Sequence, residues 1–244
     1  MTAETAEGQW ARYAAEGVLL DGFHALKHAL RFGARVPVAL ATDRRATLAL
    51  AAELAPDLVG TLEGLLREVP GTTLGALVPR PHPTGVAALA LRDIGASPAA
   101  PDREAPLVVL DNPRNLGNVG AVVRLAAGAG AAGVLTTGDV DPWHPAAVRA
   151  GAGLHFATHV ERRPVAELPD GPLLAFDAEG ADLRSVTVPA GAMLAFGSER
   201  RGLSDQLRAR ADRLVALPMR PQVSSYNLAT SVAMALYHWL ARPS

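Results

Sequence analysis

The chain has 244 residues, 49% of them apolar, and its 23 basic and 24 acidic side chains leave a formal charge of −1. That content excludes wholesale disorder and leaves room for one large domain or two small ones. The near-zero charge gives no global argument for nucleic acid, so any RNA site has to be a local basic cluster. The absence of cysteine excludes disulfides, thiolate metal sites and a thiol nucleophile.

Residues 1–16 read as a loose, helix-capable leader; "MTAETAEGQW" lacks the basic and apolar regions of a signal peptide. No apolar run approaches the ~18 residues of a membrane span, so the expectation is a soluble cytoplasmic protein. In "LLDGFHALKHALRFG", Phe23, Leu26 and Leu30 recur at helical spacing and Gly33 is a stop signal. "VPVALAT" reads as a strand, "RRATLALAAELA" and "LVGTLEGLLREVP" as helices, and "GVAALAL" (85–91) as a strand. Alternating strands and helices predict a small α/β unit. The Pro- and Ala-rich stretch 92–106 is the linker candidate. The expected division is an N-terminal domain over 1–97, a linker over 98–106 and a second domain over 107–244.

A second α/β pattern follows. "PLVVLD" is a strand of the buried type, 118–129 a helix with Asn118 as N-cap, "GVLTTG" a strand and "PAAVRAGAG" a short helix. "GPLLAFD" and "AMLAFG" read as strands, "SDQLRARA" as a helix capped by Ser204, and "RLVALP" as a strand. The closing helix, "YNLATSVAMALYHWL", places Leu228, Ser231, Val232, Ala235 and Trp239 on one face.

Gly128 to Gly133 spell G-x-G-x-x-G. A dinucleotide fingerprint needs a strand directly before the first glycine and a helix opening within the motif. Here a helix ends at the glycines and a strand begins after them, so they read as a helix stop and turn. The preceding helix is kept slim by Gly120, Ala121, Ala126, Ala127 and Ala129, which lets another backbone approach. Its only charge is Arg124, which reads either as a structural ion-pair partner or as a ligand for a carboxylate or phosphate.

Two further loops stand out. In "LAFGSERRGLS" (194–204), Gly197 and Gly202 allow close approach of backbone, Glu199 is an acceptor, and Arg200 and Arg201 are either phosphate holders or solvated charges. In "LPMRPQVSSYNLATSVAMALYHW" (217–239), Ser224 and Ser225 read as N-cap candidates, and Asn227 is unusual in a first helical turn. The histidine pairs His24/His28 and His155/His159 have i,i+4 spacing, but no glutamate follows the first member of either, so no zinc motif is expected.

N-V-G-A-V-V-R at 118–124, G-S-E-R-R-G-L-S at 197–204 and L-P-M with S-S-Y-N-L-A at 217–229 together resemble, in order and spacing, the three motifs of the SpoU/TrmH family. These are S-adenosylmethionine-dependent RNA 2′-O-ribose methyltransferases of the SPOUT superfamily. "DPWHPAAVRAGAG" (141–153) resembles the family's link between the first two motifs, and the N-terminal half is similar, more loosely, to the small α/β substrate-binding domain often found ahead of this core. The resemblance implies a SPOUT core with a parallel sheet flanked by helices, a deep trefoil knot and a homodimer in which the slim helix lies at or near the interface. It implies S-adenosylmethionine held by Gly197, Gly202, Leu217, Met219, Tyr226 and Asn227; the family usually has leucine where this chain has Tyr226. It implies Arg124 as the catalytic arginine, acting as base or as phosphate clamp, with Asn118, Glu199, Ser225 and Asn227 orienting cofactor and ribose. A guanidinium is effectively always protonated, which favours the clamp. The expected partners are structured RNA (rRNA or tRNA) and a second copy of the chain, with no metal and no membrane. Lys27, Arg31, Arg35, Arg44 and Arg45 are the candidate RNA contacts of the N-terminal half. The alternative is a non-catalytic RNA-binding protein that retains the fold.

Overall fold

The structure is a computed structural model describing residues 5–92 and 103–241. The chain forms two compact units, dividing after residue 94, with residues 152–157 grouped with the first unit. Residues 98–102 of the expected linker, and residues 1–4 of the leader, lie outside the described residues.

The first unit contains α1 (Ala6–Tyr13), β1 (Val18–Asp21), α2 (Phe23–Arg31), β2 (Arg35–Ala41), α3 (Arg44–Leu54), α4 (Val59–Leu65), β3 (Leu66–Glu68), α5 (Gly71–Leu77) and β4 (Val86–Leu91). Its four strands run in the order β1-β4-β2-β3, with β4 antiparallel to both neighbours and β2 parallel to β3. Two strands depart from the sequence reading. β1 is four residues, too short for a period of two to register, and is turned into α2 by Gly22 at φ 103. β3 continues an apparent helical pattern, and its pairing with β2 converts it to strand, a tertiary override of local propensity.

The second unit contains β5 (Leu107–Leu110), α6 (Leu116–Ala129), β6 (Gly133–Thr136), α7 (Pro145–Ala150), β7 (His159–Arg162), β8 (Leu173–Asp182), β9 (Met193–Phe196), α8 (Asp205–Arg210), β10 (Arg213–Ala216) and α9 (Leu228–Leu240). Its six strands, in the order β10-β8-β9-β5-β6-β7, are parallel throughout. Parallel sheets are covered on both faces, so their strands are apolar runs, and β5 and β9 are buried at every position. Val108 and Leu110 join Val119, Val122 and Val123 of α6 and Val232 of α9 in one core layer. Leu107 and Val109 face the other way, into a layer with Leu207 of α8. β7, unforeseen, is an edge strand with one buried side chain, Val160, so its sequence carries little strand signal.

The glycine run behaves as a stop and turn. Gly130 caps α6 in the left-handed region, and β6 begins at Gly133. The slim helix has its use at Gly120, where any side chain would collide with the backbone of α7 at Ala147 and Gly151.

Candidate functional site

Strand order fixes where ligands go. From β5 the sheet continues through β6 on one side and turns back through β9 on the other. Loops leaving the carboxyl ends of β5 and β9 therefore splay apart at a switch point, the usual ligand crevice of an open α/β sheet. The two loops are residues 111–115 and 197–204. The segment after β10, 217–227, joins them.

Buried Asp111 ties these loops together. It is 3% exposed; one oxygen accepts from the Thr137 hydroxyl at 2.7 Å and the other from the Ser204 amide at 2.6 Å. Ser204 is also the N-cap of α8, as its sequence position predicts. The N-cap of α6 is Asn115, not Asn118: Asn115 Oδ1 accepts from the amides of Gly117 and Asn118 at 2.8 and 3.2 Å. This starts the helix earlier and frees the Asn118 side chain. Asn227 likewise is the N-cap of α9, in place of the preceding serines, accepting from Ala229 and Thr230.

Asn118 is the hub. Its Nδ2 donates to Glu199 Oε1 at 2.8 Å, and its Oδ1 accepts from Asn227 Nδ2 at 3.2 Å. The second Glu199 oxygen accepts from the Arg114 amide at 3.4 Å. Partial burial disfavours the charged form of Glu199. Hydrogen bonds from the Asn118 side chain and from the backbone of Glu199, Arg114 and Asn115 outweigh that, so its pKa lies below the ordinary glutamate value. One residue from each expected motif thus enters a single hydrogen-bonded chain.

Beside this chain lies a cavity of about 380 Å³, within the ~300–1,000 Å³ of small-molecule sites. All six residues expected to hold a cofactor line it (Gly197, Gly202, Leu217, Met219, Tyr226 and Asn227), together with Glu199 and Ser225. Gly197 is required by its own loop. A Cβ there would collide with the backbone of Gly202 and Leu203, where Ser198 and Gly202 exchange two backbone hydrogen bonds of 2.9 and 3.0 Å. Tyr226 spans its loop, its hydroxyl donating to the Pro218 carbonyl at 3.1 Å. The sequence reading missed the aromatic wall: Phe176 and Phe196, register partners on β8 and β9, stack at 4.4 Å. The signal was present, since both strands carry Leu-Ala-Phe, but it needs the pairing to have meaning.

Arg124 does not join the group. It is exposed, on a groove of about 700 Å³ between α6 and α9 that also exposes Ala121, Leu125, Gly128, Tyr237 and Leu240. Among the described residues its guanidinium has no hydrogen-bond or ion-pair partner. Of the five candidate RNA contacts in the first unit, Lys27 is buried, Arg31 is paired with Asp57, and Arg44 donates to the Glu63 carbonyl. Arg35 and Arg45 remain exposed. His28 Nδ1 donates to the Ala152 carbonyl, and His159 pairs with Glu161. Among the described residues, no cluster of three or more His, Asp or Glu side chains is placed to hold a metal ion, and no helix is long and apolar enough to cross a membrane.

The fold and the site define an α/β protein with an all-parallel sheet whose loops at the switch point build a small, partly aromatic cavity next to a polar chain. The SpoU rRNA Methylase family model matches residues 105–237, and the chain belongs to that family. It is 33% identical over 184 residues to an uncharacterized tRNA/rRNA methyltransferase of Synechocystis sp., covering 69% of this chain and 65% of that protein. It is 32% identical over 148 residues to the 23S rRNA (adenosine(1067)-2′-O)-methyltransferase of Streptomyces laurentii, covering 54% of this chain and 52% of that one. The chain spans less than two thirds of the length of these curated relatives. Among solved structures it is similar to the SpoU methyltransferase AviRb from Streptomyces viridochromogenes in complex with S-adenosylmethionine. The TM-score is 0.75 at 26% identity, covering 94% of this chain and 91% of that one.

Proposed function

We propose that the chain is an S-adenosylmethionine-dependent RNA 2′-O-ribose methyltransferase acting on rRNA or tRNA. The observation that carries this reading is the chain Glu199–Asn118–Asn227 beside the cavity at the switch point. The cavity fits the cofactor in kind: a stacked phenylalanine pair, Leu217 and Met219 for apolar parts, and exposed Ser225 for polar ones. Gly197, Gly202, Leu217, Met219, Tyr226 and Asn227 would hold it. When bound, S-adenosylmethionine supplies a methyl group already activated on a sulfonium, which leaves the protein a task of alignment. Asn118 and Asn227 fix the loops against each other, the Glu199 carboxylate is an acceptor already ionised at neutral pH, and the Ser225 hydroxyl, without a partner among the described residues, is free to orient the ribose.

In this reading residues 107–244 are the methyltransferase domain, 98–106 the linker and 1–97 an RNA-binding domain, with Arg35 and Arg45 among its exposed cations. The protein works in the cytoplasm, as a homodimer. What supports the dimer is the apolar α6–α9 groove, where Tyr237 is 71% and Leu240 53% exposed. A second copy seated there would receive Arg124 into its own site, as phosphate clamp and stabiliser of charge on the 2′-oxygen. What supports the trefoil knot is that β10 lies at the far edge of the sheet, yet α9 returns to pack on α6.

Calorimetric titration with S-adenosylmethionine, followed by transfer of its labelled methyl to rRNA and tRNA from a strain lacking this chain, tests the proposal. The expected outcome is binding of the cofactor and label recovered on ribose 2′-oxygens. Binding without transfer to any RNA overturns it in favour of a non-catalytic RNA-binding protein; label on a base overturns the assigned position.

A further inference from the structure

A second cleft, of about 790 Å³, opens on the other side of Glu199, between the loop after β5 and the loop after β9. It shares Ser198 and Glu199 with the cofactor cavity. Its lining includes three arginines, Arg114, Arg200 and Arg201, and one acidic residue, Glu199. All three arginines are exposed, and among the described residues none of their guanidiniums has a hydrogen-bond or ion-pair partner. The carboxylate, by contrast, is taken up by Asn118 and the Arg114 amide. In a chain of net charge −1, three unneutralised cations around one concave surface form a local positive focus, and such a focus selects an anion.

From this juxtaposition we infer that the cleft is the binding site for a backbone phosphate of the acceptor RNA, gripped by Arg114, Arg200 and Arg201. The inference rests on the methyltransferase reading for the identity of the polyanion. The helix start is not the donor, because Asn115 Oδ1 already takes the Gly117 and Asn118 amides; the guanidiniums are. Arginine suits this task, since its planar fork meets phosphate oxygens in pairs. The geometry fits the chemistry. A phosphate ester sits on the ribose carbon adjacent to the one bearing the 2′-oxygen. Holding that phosphate on one side of Glu199 presents the 2′-oxygen to the cavity on the other side.

The test compares the wild-type chain with Arg200→Ala/Arg201→Ala, Arg114→Ala and the corresponding lysine variants. The probe is a fluorescein-labelled single-stranded oligoribonucleotide, followed by anisotropy across a salt series, with S-adenosylmethionine affinity measured on each variant. Each phosphate contact contributes about −0.7 to the slope of log K against log salt for single strands. The double alanine variant should therefore lose up to about 0.7 of slope, the share of the one phosphate held, and its KM for RNA should rise. The lysine variants should keep the slope and lose affinity. S-adenosylmethionine affinity should stay at the wild-type level in all of them. An unchanged slope and RNA affinity overturns the inference, as does loss of cofactor affinity with the slope intact, which would assign the arginines to the cofactor. The two readings separate cleanly. If wild-type chain transfers no methyl group but the slope falls in the variants, the methyltransferase reading fails and the cleft stands; if it methylates RNA and the slope does not move, the cleft fails alone.

Discussion

Glu199 shows how one side chain is tuned by its neighbours. It is an exposed residue, yet it accepts from the Asn118 side chain and from backbone amides that outweigh the cost of its partial burial and lower its pKa. The sign of the pH effect follows. A carboxylate whose folded pKa is depressed contributes its stabilisation fully above the ordinary value of 4.5, and loses it only as pH falls through the lower, folded value. Methyl transfer should accordingly show no Glu199 limb between neutral pH and 4.5. Glu199→Gln offers one carbonyl oxygen where two acceptors are used, so Asn118 and the Arg114 amide cannot both be served. Single-turnover transfer at neutral pH should slow by about 10²-fold, the scale of losing one preorganised electrostatic group. Equal rates for the two proteins would show that Glu199 only decorates the loop.

Loops and helix ends carry the next level. The 197–204 loop is closed by the paired backbone bonds between Ser198 and Gly202, and the glycine at 197 is what permits the closure. Gly197→Ala should therefore open the loop, with a cost of about 1–3 kcal/mol as for an overpacked site, and should abolish S-adenosylmethionine binding without adding bulk to the cavity itself. Gly202→Ala is the control. Its backbone has φ +68 but nothing surrounds the added carbon, so the cost is the ~1–2 kcal/mol of a left-handed residue, and cofactor binding should weaken less than in Gly197→Ala because the loop stays closed. Thermal melts and calorimetry on the two variants check both statements; equal damage would mean that the loop tolerates opening and that the close approach at Gly197 does not govern binding.

At the scale of the molecule, the exposed α6–α9 groove and the position of Arg124 belong together. If Arg124 completes the site of a partner copy, Arg124→Ala should fold, dimerise and bind S-adenosylmethionine while transferring methyl groups far more slowly. Mixing it with Glu199→Gln subunits should then restore activity. In each mixed dimer one site has its own Glu199 and the partner's Arg124, so random reassortment should recover about a quarter of wild-type sites in a two-fold dimer. If Arg124 served its own chain, every site in the mixture would lack a group and no activity would return. Tyr237→Asp, in the lining of the groove, should give a monomer by light scattering.

Much of the second unit was legible because its signals are local. Buried parallel strands are apolar runs, and β5 and β9 stand out as such; Ser204 caps α8 by the chemistry of its own side chain. The candidate site residues stand out through the order of three motifs, and the structure brings Asn118, Glu199, Ser225 and Asn227 to one place. What the sequence could not decide was anything set by a partner elsewhere in the chain. β3 and β7 are strands because β2 and β6 lie beside them. Asn115 rather than Asn118 caps α6, since either asparagine could, and the hydrogen bonds that engage Asn118 come from residues 81 and 109 positions away. Phe176 and Phe196 become a wall only when β8 and β9 pair. The side of α6 that Arg124 occupies is open because α7 and α9 cover the others. Composition, caps and apolar runs determined most of the elements, because those forces act within a few residues; the strand order placed three loops at one switch point, because that depends on packing between segments more than a hundred residues apart.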